Sequence, residues 1–124
     1  MTRPRAAPPL PAPELLRAAA EAAASKKALD MVGLDLRGLD GVADFFLICS
    51  GASEPQVKAI AEAVEEKLRD CGAKPWHVEG REYRRWVLLD FVDVVVHVFH
   101  EQTRAYYLLE RLWGDARRVD LGVE

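Results

Sequence analysis

The clearest period in the chain runs from Val57 to Leu68. Val57, Ile60, Ala61, Val64 and Leu68 recur at steps of three, one, three and four residues, while Lys58, Glu62, Glu65, Glu66 and Arg69 fill the other side. That is one apolar stripe of an amphipathic helix. Ser53-Glu54-Pro55-Gln56 ahead of it has the capping-box form, and Gly72 stops it. An earlier stretch, Glu14 to about Lys27, is built from Ala, Leu, Glu and Lys behind Pro13, with Lys26 and Lys27 at its C-terminal end, and predicts a helix with a mostly alanine face. Glu101 to Trp113 predicts a third, with Ala105, Leu108, Leu109 and Leu112 as its stripe and Gly114 as its end. Between the helices lie β patterns: Leu29 to Leu36, interrupted by Gly33; Asp44 to Ser50, continuously apolar from Phe45 to Cys49 and so buried on both faces; and a short run around Pro75 to Val78. Trp86 to Asp90 and Val94 to Phe99 then form an antiparallel hairpin. Its turn lacks Asn-Gly or Asp-Gly, which predicts a longer connection or a bulge. The order of elements predicts an α/β fold, a mixed sheet of about five strands flanked by helices.

At 124 residues the chain makes one domain. Five prolines before Glu14 predict a disordered arm over 1–13, followed by the folded domain over 14–116 and a flexible tail over 117–124. Half of the residues are hydrophobic and 30% are charged, a globular balance. The net charge of -3 is uneven: residues 1–27 carry five basic and two acidic side chains, so the remainder stands at -6. An acidic body argues against a main role in wrapping phosphate backbones, which needs dense Lys and Arg. Cys49 and Cys71 give neither a disulfide framework nor zinc spacing, and a reducing, cytoplasmic setting is expected. No apolar run is long enough to span a bilayer or to act as a secretory signal, so no membrane partner is expected.

Several residue sets could carry chemistry. Asp90 and Asp93 invite a magnesium or acid/base reading, but Asp at strand ends commonly bonds its own turn. His97 and His100 are three apart in a β run, so alternation sends them to opposite faces and shared metal ligation is disfavoured. Cys49 sits in an apolar strand without an activating base. Ser50-Gly51-Ala52-Ser53 precedes a helix but lacks the Gly-Lys-Ser or Gly-Lys-Thr ending of a phosphate-cradling loop. No catalytic residue, metal or cofactor is therefore assigned. The better lead is aromatic. Tyr107 lies about 200° around the third helix from Ala105, away from the core stripe. With Trp86 and Phe91 at the hairpin, and Arg84 and Arg85 beside them, the mix is that of a protein interface.

The run ADFFLICSGASEPQVKAIAEAVEEKL, the pair Glu79-Gly80, and the run RWVLLDFVDVVVHVFHEQTRAYYLLERLWGDA follow one another in an order and spacing that closely resembles the ribosomal silencing factor family, RsfS or Iojap, over about Glu14 to Ala116. The resemblance implies a nucleotidyltransferase-like shape without the active site. Ser50-Gly51 reverses the Gly-Ser dipeptide of those enzymes, and no Asp-x-Asp strand follows it. It also implies a translation repressor that binds ribosomal protein fourteen of the large subunit and sterically blocks joining of the small subunit, and a homodimer when free; a minor contact with ribosomal RNA through Arg81, Arg84 and Arg85 is a further reading of the residues. Carried over by position, the motif residues are Glu79, Gly80, Trp86, Asp90, Phe91, Asp93, His97 and Tyr107. Glu79, Trp86, Asp90, Phe91, Asp93 and Tyr107 are the expected partner-binding set. Phe91 departs from the Tyr or Leu common at its place. The competing reading is a nucleotidyl or phosphoryl transferase with an acidic metal site at the hairpin.

Overall fold

In the computed structural model, which describes residues 10–39, 43–107 and 116–123, the chain order is α1 (Ala12–Ser25), β1 (Leu29–Asp35), β2 (Phe45–Gly51), α2 (Glu54–Asp70), β3 (His77–Glu79), β4 (Trp86–Asp90), β5 (Val94–His100), α3 (Glu101–Tyr107) and β6 (Arg117–Val119). One sheet orders its strands β3-β4-β5-β2-β1-β6. Only β2 and β5 run parallel, paired from Phe45 with Val94 to Gly51 with His100, and every other neighbouring pair is antiparallel. The continuous apolar run of β2 is explained by this central place: all seven residues from Phe45 to Gly51 are buried.

The two faces of the sheet are covered differently. Leu16, Ala19 and Ala23 of α1 and Val57, Ile60, Val64 and Leu68 of α2 pack over Phe45, Leu47, Cys49, Val87, Leu89, Val96 and Val98. Alanine on α1 lets the helix lie close to α2 and the sheet. The opposite face gathers Leu34, Leu36, Phe46, Ile48, Val95 and Phe99, with Trp86 and Leu88 half-buried beside them. Here α3 lies against β5 and β2. Arg104 of α3 is buried, donating to the Asp30 carbonyl and to Ser50 Oγ at 3.1 Å, and so clamps the helix to the irregular start of β1 and to β2. The stripe residues Leu108, Leu109 and Leu112, with Trp113 and Gly114, lie outside the described residues.

Three expectations are corrected. The first helix starts at Ala12, because Pro13 suits a first-turn position, so the folded part reaches into the expected 1–13 arm. Among the described residues the sheet has six strands rather than about five, because Arg117–Val119 of the expected flexible tail pairs with Gly33 to Asp35. Leu121 is buried, and a Cβ at Gly33 would lie 2.6 Å from its Cδ2; glycine in β1 is what admits this side chain. The hairpin closes more tightly than expected: Asp93 N–H donates to the Phe91 carbonyl at 3.0 Å across Val92, whose φ is 75°, forming a γ-turn.

The capping residues of α2 tie the two long helices together. Ser53 Oγ accepts from Gln56 N–H at 3.2 Å, and Gln56 Oε1 accepts from Ala52 N–H at 2.6 Å, one residue before the position a capping box would predict. Gln56 Nε2 donates to the Lys26 and Lys27 carbonyls at 3.2 and 3.0 Å, satisfying acceptors just past the end of α1. Gln56→Ala is expected to cost about 1–2 kcal/mol in urea unfolding. Gln56→Glu keeps the Ala52 bond, loses both donations, and should fall near the alanine variant rather than the wild type.

Candidate functional site

Strand alternation sorts the predicted residues before any partner is considered. In β4, Val87 and Leu89 face α1 and α2, so Trp86, Leu88 and Asp90 face the other way. Glu79 pairs with Leu88 and His77 with Asp90, which puts both β3 residues on that same face. Trp86 and Asp90 stand at the two ends of a five-residue strand, roughly 13 Å apart at 3.3 Å per residue.

Trp86 is set firmly. Its ring stacks on Phe99 at 4.8 Å between centroids, and its Nε1–H donates to His97 Nδ1 at 3.1 Å. That bond places the neutral ring's proton on Nε2, which is buried and without an acceptor among the described residues. The His97 ring also meets Phe46 edge-on at 4.5 Å. Burial among these apolar rings lowers the His97 pKa to about 4, so the ring is neutral near pH 7. His97 is thus the internal support of Trp86. His100 is half-buried, its Nδ1 accepting from Gln102 N–H at 3.3 Å at the junction of β5 and α3. Cys49 is fully buried, and loss of solvation pushes its thiol up to about 12, as expected of an inert core residue.

The hairpin tip separates the remaining residues. Asp90 Oδ1 accepts from Val92 N–H at 2.8 Å, and the Asp93 carbonyl accepts from Asp44 and Phe45 N–H, so both serve the turn and its docking onto β2. Asp93 is exposed. Phe91 is the member of the set that the fold withdraws: it is buried with Val87 and Leu89 in the core under the two long helices, continuing their alternation. A partner cannot reach it without opening the core. Glu79 is exposed on the edge strand and bonds His77 Nε2 at 2.6 Å. Tyr107 ends the described part of α3. Among the described residues, no group of three His, Cys, Asp or Glu side chains is placed to hold a metal ion.

Two exposed aromatics in the segments flanking β3 lie outside the residues singled out from the sequence. Trp76, just ahead of β3, is 77% exposed, and Tyr83, in the turn between β3 and β4, is 75% exposed. Trp76 falls within the short run predicted around Pro75 to Val78, and Tyr83 lies in the charged stretch Arg81-Glu82-Tyr83-Arg84-Arg85 that precedes β4. A cue was available for both, since each is a large ring flanked by turn-forming or charged residues rather than by an apolar pattern. Exposed rings of this type are enriched at protein interfaces, and both lie in the segments that flank the edge strand β3.

A sequence profile described as "Ribosomal silencing factor during starvation" matches residues 9–124. The chain belongs to the RsfS family. The match continues past Ala116 to the end of the chain, in keeping with the paired β6. Curated relatives include the ribosomal silencing factor RsfS of Halalkalibacterium halodurans, 52% identical over 108 residues that cover 87% of this chain and 92% of the relative. That of Bacillus subtilis is 49% identical over 107 residues, covering 86% and 91%. The chloroplastic protein Iojap of Zea mays is 38% identical over 105 residues, covering 82% of this chain and 44% of that protein. A crystal structure from Bacillus halodurans superposes with a TM-score of 0.77 at 48% identity, covering 86% of this chain and 97% of the other. One from Chromobacterium violaceum gives 0.83 at 36% identity, covering 93% and 95%. Membership in RsfS makes this chain a regulator of translation that works through the ribosome. No helix among the described residues is long and apolar enough to cross a membrane.

Proposed function

We propose that this RsfS protein binds the large ribosomal subunit through its ribosomal protein fourteen and represses translation by occupying space that the small subunit needs. The observation that carries this reading is the shared face of Glu79, Trp86 and Asp90: three family-motif positions fall on one side of the sheet beside its β3 edge. A charge of -3 overall, with Glu79 exposed on that edge, suits a basic ribosomal protein, where complementary sign speeds association. The action is steric exclusion, with no bond made or broken, in the cytoplasm, with the free protein a homodimer whose mass sedimentation equilibrium would report.

Glu79→Lys is the test that leaves the fold alone, because Glu79 is exposed and, among the described residues, its carboxylate bonds only His77. Co-sedimentation with large subunits should weaken roughly tenfold, and inhibition of subunit joining should fall in parallel. Trp86→Phe keeps the stack on Phe99, loses the bond to His97, and should weaken binding less than Glu79→Lys. Unchanged co-sedimentation by Glu79→Lys and by Trp76→Ala would move the partner surface elsewhere.

The transferase alternative has less support, since the Asp90 carboxylate is already engaged by the Val92 N–H. Ribosomal RNA contact through Arg81, Arg84 and Arg85 is likewise less favoured, because two of the three are engaged. Arg81 is paired with Glu65, and Arg85 lies 3.6 Å from Glu54.

A further inference from the structure

A cavity of about 200 Å³ opens between the first half of α2 and the turn over residues 80–85, lined by Lys58, Ala61, Glu62, Arg81, Arg84 and Val87. Ala61 and Val87 are core residues and make an apolar floor. The walls are charged: three cations face one carboxylate, in a protein whose overall charge is negative. The cations are not equally committed. Arg81 is held by Glu65, whereas Lys58 forms no ion pair among the described residues. Arg84 is half-buried, and its Nε–H is shielded from solvent without an acceptor. Its main chain is fixed by the N–H donating to the Gly80 carbonyl at 3.0 Å, so the guanidinium is carried on a defined turn.

A buried guanidinium N–H without an acceptor is costly, and a neighbouring uncommitted ammonium adds repulsion. An oxyanion in the cavity would offset the charge of Arg84 and Lys58, both of which line it. Guanidinium takes such a group through two parallel N–H donors, and an ammonium adds a point charge. The volume lies below the 300–1,000 Å³ of pockets that enclose a whole drug-sized ligand, so it admits a phosphate or diphosphate and leaves the rest of the molecule outside. We propose that this cavity receives the terminal phosphate or diphosphate of a small phosphorylated molecule, with Arg84 and Lys58 as the gripping groups and Glu62 at the rim limiting how much negative charge can enter. A terminal group can enter the concavity end-on. An internal phosphodiester, with chain on both sides, would have to lie across the rim.

The probe is inorganic pyrophosphate, titrated into the full chain at low salt and followed by calorimetry and by the amide signals of residues 58–62 and 80–87. Saturable binding at one site is expected, with signal changes confined to those two segments. Arg84→Gln and Lys58→Gln should each weaken it roughly tenfold, Arg84→Lys should fall between wild type and Arg84→Gln, and Glu62→Gln should strengthen it about threefold. Unfolding midpoints of the free variants show whether the fold is intact; a variant that unfolds early is replaced by Arg84→Lys, whose charge is unchanged. Absence of saturable binding, or equal binding by wild type, Arg84→Gln and Lys58→Gln, overturns the assignment. So does a short RNA oligomer without terminal phosphates that competes with pyrophosphate at equal strength, because the recognised group would then be the phosphodiester. The titration uses the free chain, so its result is independent of the ribosomal reading.

Discussion

Acidification from about pH 7 to about pH 4 should remove roughly 3 kcal/mol of folding stability through one side chain, His97, at about 1.4 kcal/mol per pKa unit. The fold holds its ring neutral down to about 4, whereas the unfolded chain takes up a proton near the ordinary value of 6.5. Above that value the two states carry the same charge on this group, and it contributes no pH dependence. Between about 6.5 and about 4 the unfolded state holds a proton that the folded state lacks, so stability falls as pH falls. Protonating Nδ1 would also break its bond to Trp86 and leave a cation among Phe46, Trp86 and Phe99. Urea midpoints measured across this window should slope steeply in the wild type. They should flatten in His97→Phe, which fills the ring site without a titrating group. An equal slope in His97→Phe would assign the acid sensitivity to other residues.

Gly80→Ala should cost roughly 3 kcal/mol and loosen the β3–β4 edge in particular. Two effects add. The φ of 87° at Gly80 is in the left-handed region, which side chains with a Cβ occupy at a penalty, and the added Cβ would lie 2.0 Å from the Trp86 carbonyl oxygen. That oxygen belongs to the backbone and cannot swing aside as a flexible side chain could. The β3–β4 pairing beside Trp86 must therefore shift. Gly38→Ala is the control, because φ there is 88° with nothing within 4 Å of the added atom, and it should cost only about 1 kcal/mol. Hydrogen exchange locates the damage: amides of β3 and β4 should lose protection in Gly80→Ala while those of α1 and α2 keep theirs. Uniform loss of protection would show that the edge is not an independent unit.

These outcomes bear on how far the sequence could be read. The stripe from Val57 to Leu68, the Ser53 cap and the unbroken apolar run of β2 are strong because each follows from one local rule, and the structure agrees with all three. The Glu79-Gly80 pair stood out only by resemblance, and its physical cause, the close Trp86 carbonyl, exists once β3 and β4 are paired. The last strand was missed because Arg117-Arg118-Val119 offers no alternation and becomes a strand only by lying beside β1. The γ-turn was missed because β-branched Val92 at positive φ is what local rules disfavour. Phe91 was legible in hindsight. Continuing the alternation of Val87 and Leu89 by one step sends it inward, whereas its place next to the turn suggested a free ring.

The strand order also governs when this sheet can assemble. Its central parallel pair joins residues 45–51 to residues 94–100, and its far edge joins β1 to residues 117–119 at the other end of the chain. During vectorial synthesis, β1, β2 and the two long helices emerge first and must wait, with β2 exposing an apolar edge, until β5 arrives. The earliest stable intermediate is then expected to be the nascent β1–β2 hairpin sheltered by alanine-rich α1, and the β1–β6 edge can pair only once residues 117–119 have been made.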